Sequence, residues 1–123
     1  MEKLTKKEEE IMYIIWKLKK VLVHDIIEQL TEEPKPPYST VSSVVRILEK
    51  KGFVMHKAYG KTHEYYPAIS KAKYLKGSFK SLIDRYFEGS YKQMVSFLVE
   101  QDNLNDEEAA EIQQLIDEKL KKK

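Results

Sequence analysis

The chain contains no cysteine, which removes disulfide frameworks, thiolate metal sites and cysteine nucleophiles together. Its three histidines are scattered at 24, 56 and 63, and its four glycines are too dispersed to form a phosphate-cradling loop. No paired carboxylates face a recognisable pocket, so no catalytic constellation can be assembled and neither enzymatic activity nor a cofactor is expected. Long hydrophobic runs are also missing. The longest, residues 11–16, is far short of the ~20 residues a membrane span requires, and the Lys/Glu-rich start does not resemble a signal peptide. These features place the chain in a cytoplasm. A length of 123 residues fits one small domain with an appendage.

The net charge of +2 hides an uneven distribution. Residues 35–80 hold ten basic side chains against two acidic ones, Glu49 and Glu64, a local excess of eight positive charges that leaves the flanks at −6. A basic middle between acidic ends is an electrostatic footprint for a polyanion, although a lysine-rich solvated face has the same composition.

The centre of this basic region is the stretch 37–52. Val41, Val44, Val45 and Leu48 repeat at helical spacing and form one apolar stripe. Ser39, Ser43, Arg46 and Lys50 then face the other way. The short serines allow a helix backbone to approach deep into a groove, and arginine makes a bidentate contact to guanine there. An amphipathic helix with a polar outside is also what an ordinary surface helix looks like, so the flanking elements decide between the two.

Upstream, Thr5 and Glu8 form a capping box for a first helix whose stripe is Ile11, Ile14, Ile15 and Leu18. Tyr13 and Trp16 lie off this stripe, in positions to pack against another element. Residues 21–23 read as a brief strand leading into a second helix with Val23, Ile26, Ile27 and Leu30 as its core face. His24 suits a cap or solvent better than a phosphate. Three prolines at 34, 36 and 37 end that helix, because proline removes a donor and pushes its predecessor out of helical geometry. Helix, stiff turn and polar-faced helix make a helix-turn-helix.

Beyond Gly52 the hydrophobic period changes to alternation. Residues 53–59 and 62–66 flank Gly60-Lys61, a hairpin turn with glycine at positive φ. A hairpin in this place is a wing, and Lys57, Tyr59, Lys61, Thr62 and His63 suit phosphate or minor-groove contact. His56 and His63 lack the carboxylate or cysteine spacing of a known metal site. In the base-reading set we place Ser42, Ser43 and Arg46; in the phosphate set Ser39, Thr40, Lys50, Lys57 and Lys61.

Pro67 closes the hairpin and divides residues 1–69, a winged helix, from residues 70–123, which are helical. Ser70, Ser90 and Asn105 each open a helix. The faces run through Leu75, Phe79, Leu82, Ile83, Tyr86 and Phe87, then Tyr91, Met94, Val95 and Leu98, then Ile112, Leu115, Ile116 and Leu120. Gly77 costs ~1 kcal/mol within a helix relative to alanine, which a closely crossing helix would explain. A segment of ~55 residues buries such faces poorly alone. A second copy covers them, and we assign Leu75, Phe79, Leu82, Ile83, Tyr86, Met94, Leu98, Ile112, Ile116 and Leu120 to dimerisation, with packing onto the winged helix as the competing use. The fold class expected is mainly α with a small β-hairpin: a winged helix-turn-helix DNA-binding domain followed by a helical dimerisation domain.

Several blocks resemble the penicillinase-repressor family, its BlaI/MecI branch more than its copper-responsive CopY branch. They are Glu9-Glu10-Ile11-Met12-Tyr13-Ile14-Ile15-Trp16, Val23-His24-Asp25-Ile26, Tyr38-Ser39-Thr40-Val41-Ser42-Ser43, Leu48-Glu49-Lys50-Lys51-Gly52-Phe53 and Tyr65-Tyr66-Pro67. The resemblance implies a winged-helix homodimer that represses transcription on dyad operator DNA, with the third helix in the major groove. In the β-lactam branch it implies release through a membrane sensor and proteolysis of the repressor. Three departures accompany it. Ile47 stands where the family usually has arginine, so it either meets a thymine methyl or widens the core stripe. Phe97-Leu98 replaces the Asn-Phe pair of the cleavage region, here residues 94–104. The C-terminal cysteines of the copper branch are absent, which excludes copper sensing by that route. A winged helix used only as a protein-docking module is the alternative function; it needs no basic stripe.

Overall fold

A computed structural model describes residues 3–101 and 104–122. Asp102 and Asn103 of the 94–104 segment, and Lys123 of the basic end, lie outside the described residues. The described residues form six helices and one two-stranded antiparallel hairpin. They divide into two compact units that meet inside the fourth helix, at Gly77/Ser78. No helix is long and apolar enough to cross a membrane.

In the first unit, α1 (Lys6–Leu18) begins with the expected capping box: the Glu8 amide donates to Thr5 Oγ1 at 3.2 Å and the Thr5 amide to Glu8 Oε1 at 3.1 Å. Ile11 and Ile15 are fully buried, while Ile14 and Leu18 pack at the edge of the core. Met12, outside the predicted stripe, is also fully buried, because the second and third helices and the second strand of the hairpin all pack on α1. Trp16 packs as expected: its Nε1 donates to the Ile69 carbonyl at 2.8 Å and its ring lies 5.4 Å from that of Tyr74.

The predicted strand at 21–23 contracts to one residue. Val21 bridges Tyr65 through two backbone bonds of 2.9 and 2.7 Å, whereas Val23 already opens α2 (Val23–Gln29). The Asp25 carboxylate enforces this early start by accepting the Leu22 amide at 2.8 Å. His24 is therefore not the cap; it is exposed, with its ring 5.0 Å from that of Tyr38.

Helix α3 (Tyr38–Lys50) buries Val41, Val45 and Leu48 completely and Val44 in part. Strands β1 (Val54–Tyr59) and β2 (Thr62–Pro67) follow, with Val54 opposite Pro67 and Tyr59 opposite Thr62. Gly60 has φ 63°, the left-handed value the tight turn demands. The core joins Ile11, Met12, Ile15, Ile26, Val41, Val45, Leu48, Phe53 and Val54, all at most 1 % exposed.

Helix α4 (Lys71–Tyr86) is capped by Ser70, whose Oγ accepts the Lys73 amide at 3.1 Å. Its first turns belong to the winged-helix unit, where Tyr74 packs its ring 5.7 Å from that of Phe53 and donates its hydroxyl to Glu9 Oε2 at 2.6 Å. A Cβ at Gly77 would meet nothing within 4 Å. The closely crossing helix expected there is thus not found among the described residues.

The second unit holds the rest of α4, then α5 (Tyr91–Glu100) and α6 (Asp106–Lys121). Gly89, at φ 77°, ends α4 by donating its amide to the Ile83 carbonyl at 3.0 Å. Ser90 and Asn105 cap the next two helices as expected, accepting the amides of Gln93 and Glu108 at 3.1 and 2.7 Å. The Phe87 and Phe97 rings meet tilted by 55°, with centroids 5.8 Å apart. Among the described residues of this unit, Ile83 alone is a buried hydrophobic.

Candidate nucleic-acid interface

The α3 stripe fixes which side of the helix faces outward. Ser39, Thr40, Ser43, Arg46 and Lys50 are exposed, and Ser42 is half-buried at the edge of the core face. Ser39 and Thr40 sit in the first turn, where the positive end of the helix dipole favours phosphate. The cap of α3 is the Pro37 carbonyl, bound by the Thr40 and Val41 amides at 3.1 and 3.3 Å. No side chain caps the helix there.

The wing exposes basic side chains of its own. Lys57, Tyr59 and Lys61 are exposed, and the Lys57 ammonium lies 5.5 Å from the centre of the Tyr59 ring. Strand alternation puts Lys57 and Tyr59 on one face of the hairpin and His56, His63 and Tyr65 on the other. Glu64 sits directly opposite Lys57 and offsets part of its charge. His63, grouped with the wing tip by its place in the sequence, stacks on His56 with centroids 4.2 Å apart and planes 11° apart.

Two links between α3 and the wing have no counterpart in the sequence pattern. His56 Nδ1 lies 2.6 Å from Glu49 Oε2, so a carboxylate does accompany one histidine. Among the described residues no group of three His, Cys, Asp or Glu is placed to hold a metal ion. The second link is electrostatic: Arg46 and Glu49 of α3 both act on the Tyr65 phenol of the wing. Burial, and then the Glu49 carboxylate, push the Tyr65 phenol above its ordinary value, while Arg46 works in the opposite sense. Side-chain pairs seven and nineteen residues apart, spanning two element types, leave no periodic signal.

The structure also sorts the basic residues. Lys51 is occupied internally, donating to Glu8 Oε1 at 2.6 Å and to the Lys3 carbonyl at 3.1 Å. Lys35 binds the Ile27 and Glu28 carbonyls at 3.1 and 3.0 Å and so serves the end of α2. Lys71 lies over the Tyr13 ring at 5.3 Å, and Lys80 pairs with Asp84 at 3.2 Å. Lys50, Lys57 and Lys61 remain exposed beside the outer face of α3 and on the hairpin.

In the second unit, Phe79, Leu82, Tyr86, Leu98, Ile116 and Leu120 of the dimerisation set are exposed, and Met94 and Ile112 half-buried. Leu75, half-buried, falls in the first unit. Ile83 is buried within the single chain.

Known proteins resemble this chain along nearly its whole length. A family model described as penicillinase repressor matches residues 4–118. The chain is 28% identical over 116 residues to the penicillinase repressor of Bacillus licheniformis, covering 94% of this chain and 91% of that one. It is 27% identical over 112 residues to the methicillin resistance regulatory protein MecI of Staphylococcus aureus (strain N315), covering 91% of each. The solution structure of the DNA-binding domain of the repressor BlaI aligns with a TM-score of 0.50 at 27% identity, covering 60% of this chain and 94% of that one. The chain belongs to the penicillinase repressor family, whose members are transcriptional repressors with a winged-helix DNA-binding domain and are not enzymes.

Proposed function

We propose that this protein acts as a homodimer that represses transcription by binding a palindromic operator, with α3 in the major groove and the hairpin on the flanking backbone. One observation carries the reading: the outer face of α3 exposes Ser39, Thr40, Ser43, Arg46 and Lys50 together, while its apolar face is spent on the core. Arg46 and Ser43, with Ser42 at the edge, read bases; Ser39, Thr40, Lys50, Lys57 and Lys61 hold phosphates, and Tyr59 lies against the backbone groove.

The exposed apolar faces of α4, α5 and α6 support a second copy as the partner. Phe79, Tyr86, Val99, Leu115 and Leu120 are each more than half exposed in the single chain, an apolar surface of the kind that marks association. A twofold dimer presents two α3 helices to two half-sites, which is why the operator is a palindrome.

The names of the relatives support genes of β-lactam resistance as the targets, with a sensor-linked protease as the releasing partner. The Phe97-Leu98 bond lies inside α5, so cleavage there requires the helix to open first.

The test is selection of bound fragments from a random duplex pool by the full-length protein, followed by anisotropy titrations across salt concentrations. A palindromic site bound at least a thousandfold more tightly than random duplex is expected. Absence of salt-dependent binding to random duplex at low ionic strength, where non-specific binding is strong, would replace this reading with the protein-docking module.

A further inference from the structure

Ile47 is out of place on α3. It is 42 % exposed, whereas Val41, Val45 and Leu48 of the same helix are fully buried, so it does not widen the core stripe. It stands four residues after Ser43 and seven after Thr40, which puts the three on one row of the helix surface. All three are exposed. Its neighbours one turn away are Ser43, Val44, Lys50 and Lys51, of which only Val44 is apolar. Ile47 is therefore not part of an apolar patch of the size that protein contacts use.

An isoleucine makes no hydrogen bond and gains nothing from a phosphate. The major groove displays one apolar group, the C5-methyl of thymine. Resting on the repressor function proposed above, we propose that Ile47 is a specificity-determining residue that reads a thymine methyl, beside the bases addressed by Ser43 and Arg46. A β-branched side chain in a helix has one strongly preferred χ1 rotamer. Ile47 thus offers a fixed apolar surface whose ordering on the DNA costs little entropy.

The experiment uses the full-length protein and the site it selects from a random duplex pool. Each thymine is replaced in turn by deoxyuridine, which removes the methyl and leaves every hydrogen-bonding group in place. One thymine, or it and its symmetry mate, should show about a fourfold loss of affinity per methyl. Replacing that base with 5-bromodeoxyuridine, which restores an apolar group of similar size, should recover the affinity. The deoxyuridine penalty should disappear in Ile47→Ala and persist in part in Ile47→Val, and both variants should melt like the parent because the position is exposed. A selected site in which no thymine methyl matters overturns the assignment, as does an Ile47→Ala variant that keeps the same penalty at the same thymine. A pool that yields no enriched sequence overturns the repressor reading itself, and the role of Ile47 with it.

Discussion

At the residue scale, the decisive distinction is between cations that the fold uses and cations that it leaves exposed. Lys51 and Lys35 are spent on Glu8 and on the end of α2, yet in the sequence they are indistinguishable from Lys50 and Lys61. Arg46 and Lys61 should behave differently when removed. Arg46→Ala should cost ~1 to 3 kcal/mol on the selected operator and little on random duplex, whereas Lys61→Ala should weaken both alike and lower the salt slope by about one. Parallel titrations of the two variants on both DNAs check this; equal losses on both DNAs for Arg46→Ala would remove it from the base-reading set. Glu8 carries a pH prediction. The Lys51 ammonium first, and the Thr5 amide after it, hold the Glu8 carboxyl below its ordinary value of 4.5 against an opposing push from burial. A carboxylate with a lowered folded pKa contributes stability that is complete above its unfolded value and is lost as pH falls through the lowered one. Glu8→Gln should therefore lose about 2 kcal/mol at neutral pH. It should also show a shallower acid limb below pH ~4.5 in denaturant melts taken across pH.

At the scale of elements, periodicity carried most of the first unit. The α3 stripe, the Thr5–Glu8 box and the Gly60 turn each rest on contacts between residues near in sequence, and each is found where the spacing puts it. What was illegible is tertiary. Val21 pairs with Tyr65 across forty-four residues, and Asp25 decides that α2 begins before a strand can extend. Met12 is buried because α2, α3 and β2 all pack on α1, which no single helical stripe encodes. Of the candidate site, the exposed face of α3 was legible from its apolar opposite, while the pairing of Glu49 with His56 of the wing was not. Gly77 shows the same limit from the other side. Its position suggested a close helix crossing, but a Cβ there meets open space and the backbone is helical. Gly77→Ala should accordingly stabilise α4 by up to ~1 kcal/mol, read as a higher unfolding midpoint at unchanged m-value. Gly60→Ala should move the midpoint the other way, because its φ of 63° is strained for any residue with a Cβ.

At the scale of the whole molecule, the two units differ in how completely they bury their apolar residues. The winged-helix unit, among its described residues, closes a core in which ten side chains are at most 1 % exposed; the second unit, among its described residues, buries Ile83 alone. Three helices with Phe79, Tyr86, Val99, Leu115 and Leu120 each more than half exposed gain stability when a partner removes that surface from water, at ~25 cal/mol per Å² of apolar area. In the proposed dimer, stability would depend on protein concentration. The full chain should sediment as a dimer at micromolar concentration, and its unfolding midpoint should rise with concentration. Leu115→Glu and Leu120→Glu together place charges where the second copy would sit, so they should shift the protein to monomer in sedimentation velocity. The near-ultraviolet circular dichroism from Trp16 and Tyr74 in the first unit should persist. Because two linked α3 helices bind a palindrome with the avidity of a tethered pair, the charged variant should also lose operator affinity by a hundredfold or more. Its weak binding to a single half-site should stay near the parent's. A charged variant that remains dimeric would instead put the interface elsewhere on these helices.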